Sequence, residues 1–152
     1  MTSDERITVR PARMEDLERL VGLLGLLFAM EEDFCFDAAR QRQGLALLLD
    51  DERARVLVAE RADGVVGMCT GQLVVSTAEG GPALLVEDVV VDPDHRGRGV
   101  GRALLAALAD WASGRGVRRL QLLADGTNGP ALAFYDRLGW RATALVCRRL
   151  TL

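Results

Sequence analysis

Apolar and polar positions change period several times along this chain of 152 residues. Ile7 and Val9 alternate with polar neighbours up to Arg10-Pro11, the pattern of a short first strand. From 13 to 30, Leu17, Leu20, Val21, Leu24, Leu27 and Phe28 recur on one helical face. Gly22 and Gly25 either weaken that helix or let a neighbour come close. EEDF at 31–34 breaks the apolar run, and a second helix is predicted over about 37–50 with Asp37 as N-cap. The period then drops to two. VLVAE (56–60), the turn ADG (62–64) and VVGMCTGQLVV from 65 read as an antiparallel hairpin. After the turn AEGGP (78–82), ALLVEDVVV (83–91) reads as a third strand, ended by Asp92-Pro93. A helix near 99–113, a strand at 117–124 and the loop DGTNGP follow. ALAFYDRL is helical and stops at Gly139, a C-terminal glycine, and Trp140 to Leu150 reads as a last strand. The order is βααββ, then βαβαβ: a mixed sheet with helices on its faces.

Length makes one domain, residues 1–152, the expectation. Nineteen basic against 22 acidic residues leave a net charge of −3, which predicts no basic face and hence no nucleic-acid partner. Cys35, Cys69 and Cys147 stand far apart without a CxxC pair, so they are expected to be free buried thiols in a reducing cytosol. A single histidine, His95, argues against a histidine-based metal site and sits in what reads as an exposed DPDHRG turn. MTSDERITVR has no signal-type apolar core, and LVGLLGLLFAM (20–30) falls short of the roughly 20 apolar residues that span a bilayer. A cytoplasmic protein without membrane attachment is expected.

The chemistry concentrates at one joint. Between VEDVVVDP and the alanine- and leucine-rich helix lies RGRGVGR, residues 96–102. A helix N-terminus carries unpaired N–H groups and partial positive charge. Glycines ahead of it let an anion approach those groups, and Arg96, Arg98 and Arg102 can add charge-assisted bonds to phosphate oxygens. The segment therefore reads as a diphosphate cradle. GxxxxGK[ST] is absent, and GxGxxG fails because Arg102 stands where the third glycine belongs. What matches is R-x-x-G-x-G, Arg96, Gly99 and Gly101, directly after V-V-V-D-P.

On that motif the chain resembles the GNAT superfamily of acetyl-CoA-dependent N-acetyltransferases. NGPALAFYDRLGW (128–140) resembles that family's N-x-x-A-x-x-F-Y-x-x-x-G-[FW] segment, and ITVRPARMEDLERL its usual opening. The resemblance implies an α/β fold: a mixed, mostly antiparallel sheet of six to seven strands, splayed at the cofactor strand and flanked by about four helices. It implies acetyl-CoA as cofactor, with no metal, and attack of a free amine on the thioester. The diphosphate would rest on the main chain of Arg96, Gly97, Arg98, Gly99, Val100, Gly101 and Arg102. Val89, Val90 and Val91 would pair through their main chain with the pantetheine arm, and Asn128 and Tyr135 would also touch the cofactor. Members often dimerise, and the apolar last strand ALVCRRL is a candidate edge for a homodimer.

Tyr135, the only tyrosine, is the general-acid candidate: a phenol titrates at about 10 and stays protonated at neutral pH. Phe134 beside it reads as core. Glu87 is the candidate base, directly or through water, because it interrupts an apolar strand and a charge there must face a wet cleft. Asp88 points to the opposite face unless a bulge re-aims it. Phe28, Glu31 and Glu32 would lie on the acceptor side and, with Glu87 and Asp88, attract a cation such as a polyamine, an aminoglycoside or a lysine side chain. The ED pair at 87 and 88 is similar to that of diamine acetyltransferases in the superfamily. A small cationic primary amine is the expected acceptor. Protein or peptide acetylation, a non-catalytic acyl-CoA-binding module and a nucleotide-binding α/β protein are the alternatives.

Overall fold

A computed structural model describes residues 6–152. The charged opening, Met1 to Glu5, lies outside the described residues. The chain forms two compact units, one ending at Gln121 and one running from Leu122 to Leu152.

The elements are β1 (Thr8–Pro11), α1 (Leu17–Met30), α2 (Ala38–Leu49), β2 (Ala54–Arg61), β3 (Gly64–Ser76), β4 (Gly81–Val91), α3 (Val100–Gly114), β5 (Leu120–Leu122) and α4 (Gly129–Arg137). Short 3₁₀ turns cover Met14–Asp16 and Pro93–His95. The strands lie side by side in chain order, and β1 through β4 pair antiparallel. Among the described residues the sheet has five strands, not the six to seven expected. The strand predicted over Trp140 to Leu150 does not form. Its composition favours a strand, but a strand needs a neighbour's ladder, and Leu145, Val146 and Leu150 stand exposed in irregular chain.

Local chemistry explains the boundaries. The Asp37 carboxylate accepts from the Ala39 and Arg40 amides at 3.1 and 3.2 Å, and the Gln41 side chain accepts from the Asp37 amide at 2.6 Å. This reciprocal cap starts α2 where the sequence put it. Arg10 binds Asp16 and Glu60, each at 2.8 Å, and so ties β1 to the following turn and to β2. Arg19 of α1 binds Asp92 at 2.9 Å and the Val65 carbonyl at 2.8 Å, fixing α1 against the end of β4.

The sheet is packed on both faces. Leu20, Leu23 and Leu24 of α1 and Leu45 of α2 form one core with Val56, Val58, Met68 and Val90. On the other face, a Cβ at Gly67 would lie 3.0 Å from Val100 and 3.2 Å from Leu104, so this glycine lets α3 sit close to β3. The Cys69 thiol points to the same side, 3.8 Å from the Leu104 carbonyl. Cys69 alone of the three cysteines is buried; Cys35 and Cys147 are exposed, contrary to expectation. Spacing alone carries no information on burial: Cys35 lies between two helices and Cys147 in the irregular C-terminal stretch. Among the described residues no helix is long and apolar enough to cross a membrane, and no cluster of side chains could hold a metal ion.

Candidate functional site

The joint between β4 and α3 is built for main-chain binding. Gly97 and Gly99 have φ of +72° and +84°, the left-handed region where a Cβ is strained. A Cβ built on either would meet nothing within 4 Å, so conformation, and not crowding by the protein, requires glycine there. Gly99 is the N-cap of α3, and no side chain caps the helix. The first helical bond runs from the Ala103 amide to the Gly99 carbonyl at 3.0 Å. The amides of Val100, Gly101 and Arg102 therefore lie outside the helix's own ladder, at the positive end of its dipole. Arg98 and Arg102 are exposed. Arg96 folds back instead, its Nε donating to the Val91 carbonyl at 3.2 Å and its guanidinium lying 3.7 Å from the Met30 sulfur.

Just before the joint, Val89, Val90 and Val91 pair on one side with Cys69, Met68 and Gly67. The other neighbour, β5, is only three residues long, and the Leu84 amide donates to the Arg119 carbonyl where the two strands meet. In either direction of pairing, Val89–Val91 lie beyond its reach. That stretch of main chain has no β5 partner.

The acidic pair sits at a fault in the ladder. Gly71 faces Val86 and Cys69 faces Val89, so the single residue Thr70 stands against both Glu87 and Asp88. This is a β-bulge on β4. Leu84 and Val86 belong to the α3 face, whereas Val90 packs into the α1 and α2 core. The extra residue makes that switch and turns Asp88 toward the α1 side. Glu87, expected to be the desolvated carboxylate, is exposed, and the half-buried one is Asp88. Strict alternation could not show this, because the bulge resets it.

Asp88 is bound by Thr70, which is fully buried. The Asp88 amide donates to Thr70 Oγ1 at 3.1 Å, and that hydroxyl donates to Asp88 Oδ2 at 3.0 Å. Burial pushes the Asp88 carboxyl up to about 6; the Thr70 bond pulls the other way, and the charges of Glu87 and Glu31 add to the rise. Glu31, just past α1, is thus near enough to be felt. Glu32 is exposed, and Phe28 packs against Phe34 with ring centroids 5.9 Å apart. Cys69 is pushed up to about 12 by burial and by the Asp88 charge, so its thiol stays protonated.

His95 is more shielded than its turn suggested: its side chain is 14% exposed and lies 3.6 Å from Asp63. It lines a small hollow of about 150 Å³ with Arg61, Asp63 and Arg98. A larger one, about 480 Å³, involves Trp111 and Arg115 at the C-terminal end of α3. A 15-residue helix puts it about 20 Å from the glycine joint, so it is no part of this site.

In the second unit, Asn128 caps α4 by accepting from the Ala131 amide at 3.1 Å. The Tyr135 ring stacks at a tilt on Phe134 and Trp140, with centroids 5.2 and 5.8 Å away. Phe134 is half-buried. Gly139, at φ +89°, ends the helix as its position promised.

The model of the Acetyltransferase (GNAT) family matches residues 23–140. The chain belongs to that family. The match takes in β4, the glycine joint and the α4 segment. A streptothricin acetyltransferase of Streptomyces lavendulae is 38% identical over 91 residues, 60% of this chain and 47% of that protein. The chain thus spans about half, and for other matched acetyltransferases about a quarter, of its relatives' length. A possible acetyltransferase from Clostridium difficile 630 shares the fold at TM-score 0.84 and 24% identity, over 96% of this chain and 97% of that one. The aminoglycoside N-acetyltransferase AAC(6')-Iy, solved in complex with CoA, does so at TM-score 0.83 and 19% identity, over 96% and 95%.

Within this GNAT chain the first unit brings Glu31, Glu87, Asp88 and the main chain of β4 together, with the glycine joint following. Sequence reasoning missed Thr70. A lone threonine in a valine-rich strand carries no signal; the only pointer was the acidic pair across the ladder, whose register had to be known first.

Proposed function

We propose that this chain is a single N-acetyltransferase domain that moves an acetyl group from acetyl-CoA to a small cationic primary amine. One observation carries the reading. A helix start with no side-chain cap and two left-handed glycines directly follows a strand segment that has no β5 partner. The amides of Val100, Gly101 and Arg102 suit a diphosphate, because they are donors without a helical acceptor and nothing crowds Gly97 or Gly99. Arg98 and Arg102 add charge there, while Arg96 braces the end of β4. Val89–Val91 offer main-chain groups to the pantetheine arm, and Asn128 is assigned to the same ligand on the family motif.

Acetyl-CoA would supply an activated acetyl group on a thiol leaving group. The chain's residues do the rest. Asp88 takes the proton that the amine must lose; a carboxyl that titrates at about 6 is ionised at neutral pH, yet far more basic than an ordinary aspartate. Glu87, exposed on the same bulge, and Glu31 hold the cationic acceptor, with Glu32 and Phe28 at the margin. On the family motif Tyr135 is assigned as the group that would give a proton to the leaving thiol.

The test is release of free thiol from acetyl-CoA across a panel of amines. Diamines, polyamines and aminoglycosides should be acetylated faster than neutral amines, and the preference should weaken as salt screens the carboxylates. No release with any amine would overturn the reading, and equal rates for cationic and neutral acceptors would overturn the acidic acceptor site.

A further inference from the structure

We propose that Thr70 is a positioning residue: its hydroxyl fixes the Asp88 carboxylate so that Oδ1 is the oxygen presented to the amine proton. This rests on the amine-acetylation reading above. A hydroxyl has one hydrogen to give. The Asp88 amide donates to a lone pair of Thr70 Oγ1, and the hydroxyl's hydrogen goes to Asp88 Oδ2. The two bonds close a ring across the bulge and lock the carboxylate. Oδ2 is occupied as an acceptor, and Oδ1 has no hydrogen-bond partner among the described residues.

Among the described residues nothing else nearby does this. The groups whose charge reaches Asp88 are Glu87 on its own strand and Glu31 after α1, while the Cys69 thiol on β3 lies on the other face of the sheet. Both are anions that oppose its ionisation, and the thiol is neutral. No ion pair to Asp88 forms among the described residues. Among the described residues Thr70 is the one side chain that donates to the Asp88 carboxylate. Burying a hydroxyl is costly unless it is bonded, and here both of its bonds go to one residue.

Thr70→Val keeps the β-branched shape and removes both bonds. Its carboxyl should then titrate at higher pH, because the donor that favoured the charged form is gone. The acid limb of kcat/KM should move up with it, lowering the rate about fivefold to tenfold at pH 6, against a smaller fall at pH 9 that reports the lost hold on the carboxylate alone. Thr70→Ser should restore the limb. Carboxyl ¹³C NMR titration of Asp88 in each protein, with Thr70→Ala substituting if Thr70→Val fails to fold, reads the same contact without turnover. An unmoved Asp88 titration overturns the proposal whatever the activity. A moved titration with an unmoved rate limb overturns the role in proton acceptance. If the wild-type chain acetylates no amine, a moved titration still supports the Thr70 hold, and the amine reading alone falls.

Discussion

Asp88→Asn tests the electrostatics of the bulge through folding stability alone. Asparagine keeps the shape and can still accept from the Thr70 hydroxyl, but it carries no charge. In the folded chain burial raises the Asp88 carboxyl from its ordinary 3.8 to about 6. The fold therefore favours the protonated form. Near pH 3 both folded and unfolded chains hold the proton, and no penalty exists. As pH rises from about 4 through 6 the unfolded chain releases it first, and stability falls. Above 6 the whole penalty applies, about 3 kcal/mol from the two values. Asp16, Glu60 and Asp92 run the opposite way: hydrogen bonds from Arg10 and Arg19 lower their carboxyls, so they stabilise the fold at neutral pH and lose that as pH falls. They are common to both proteins and cancel in the difference. Urea unfolding at pH 4 and pH 8 is the assay. Relative to wild type, Asp88→Asn should gain about 2–3 kcal/mol between the two pH values, most of it between pH 4 and 7. A pH-independent difference between the two proteins would refute the reasoning.

Gly99→Ala places a Cβ at φ +84° with no atom to clash with, so it should cost about 1–2 kcal/mol of stability from strain and reduce the thermal shift given by CoA. An unchanged melting temperature and CoA response would show that the joint needs no glycine. Tyr135→Phe should lower kcat at least tenfold while calorimetric CoA affinity stays within about twofold, the split expected of a proton donor. An unchanged kcat would remove the phenol from the mechanism.

Much of the fold was legible because it rests on local rules. Asp37 announced α2, Gly139 ended α4, and the alternation around ADG marked the β2–β3 hairpin. The glycine joint was legible because glycines and arginines alternate directly ahead of a helix start, and the left-handed φ of Gly97 and Gly99 accounts for two of those glycines. What failed depended on partners far away in the chain. The segment 140–150 has strand composition, but composition supplies no neighbouring ladder. Glu87 and Asp88 were distinguished by alternation, which one bulge opposite Thr70 overturns. Cys35 and Cys147 were expected to be buried as unpaired thiols, yet burial is decided by what packs from other elements.

The central claim is that bare main-chain amides at the start of α3 hold the cofactor's diphosphate. Amide chemical shifts of the ¹⁵N-labelled chain, followed during a CoA titration, test it most directly. The account predicts saturable shifts that are largest from Gly97 to Arg102, with smaller ones at Val89–Val91. Binding that leaves those amides unmoved, or no binding at millimolar CoA, would contradict it.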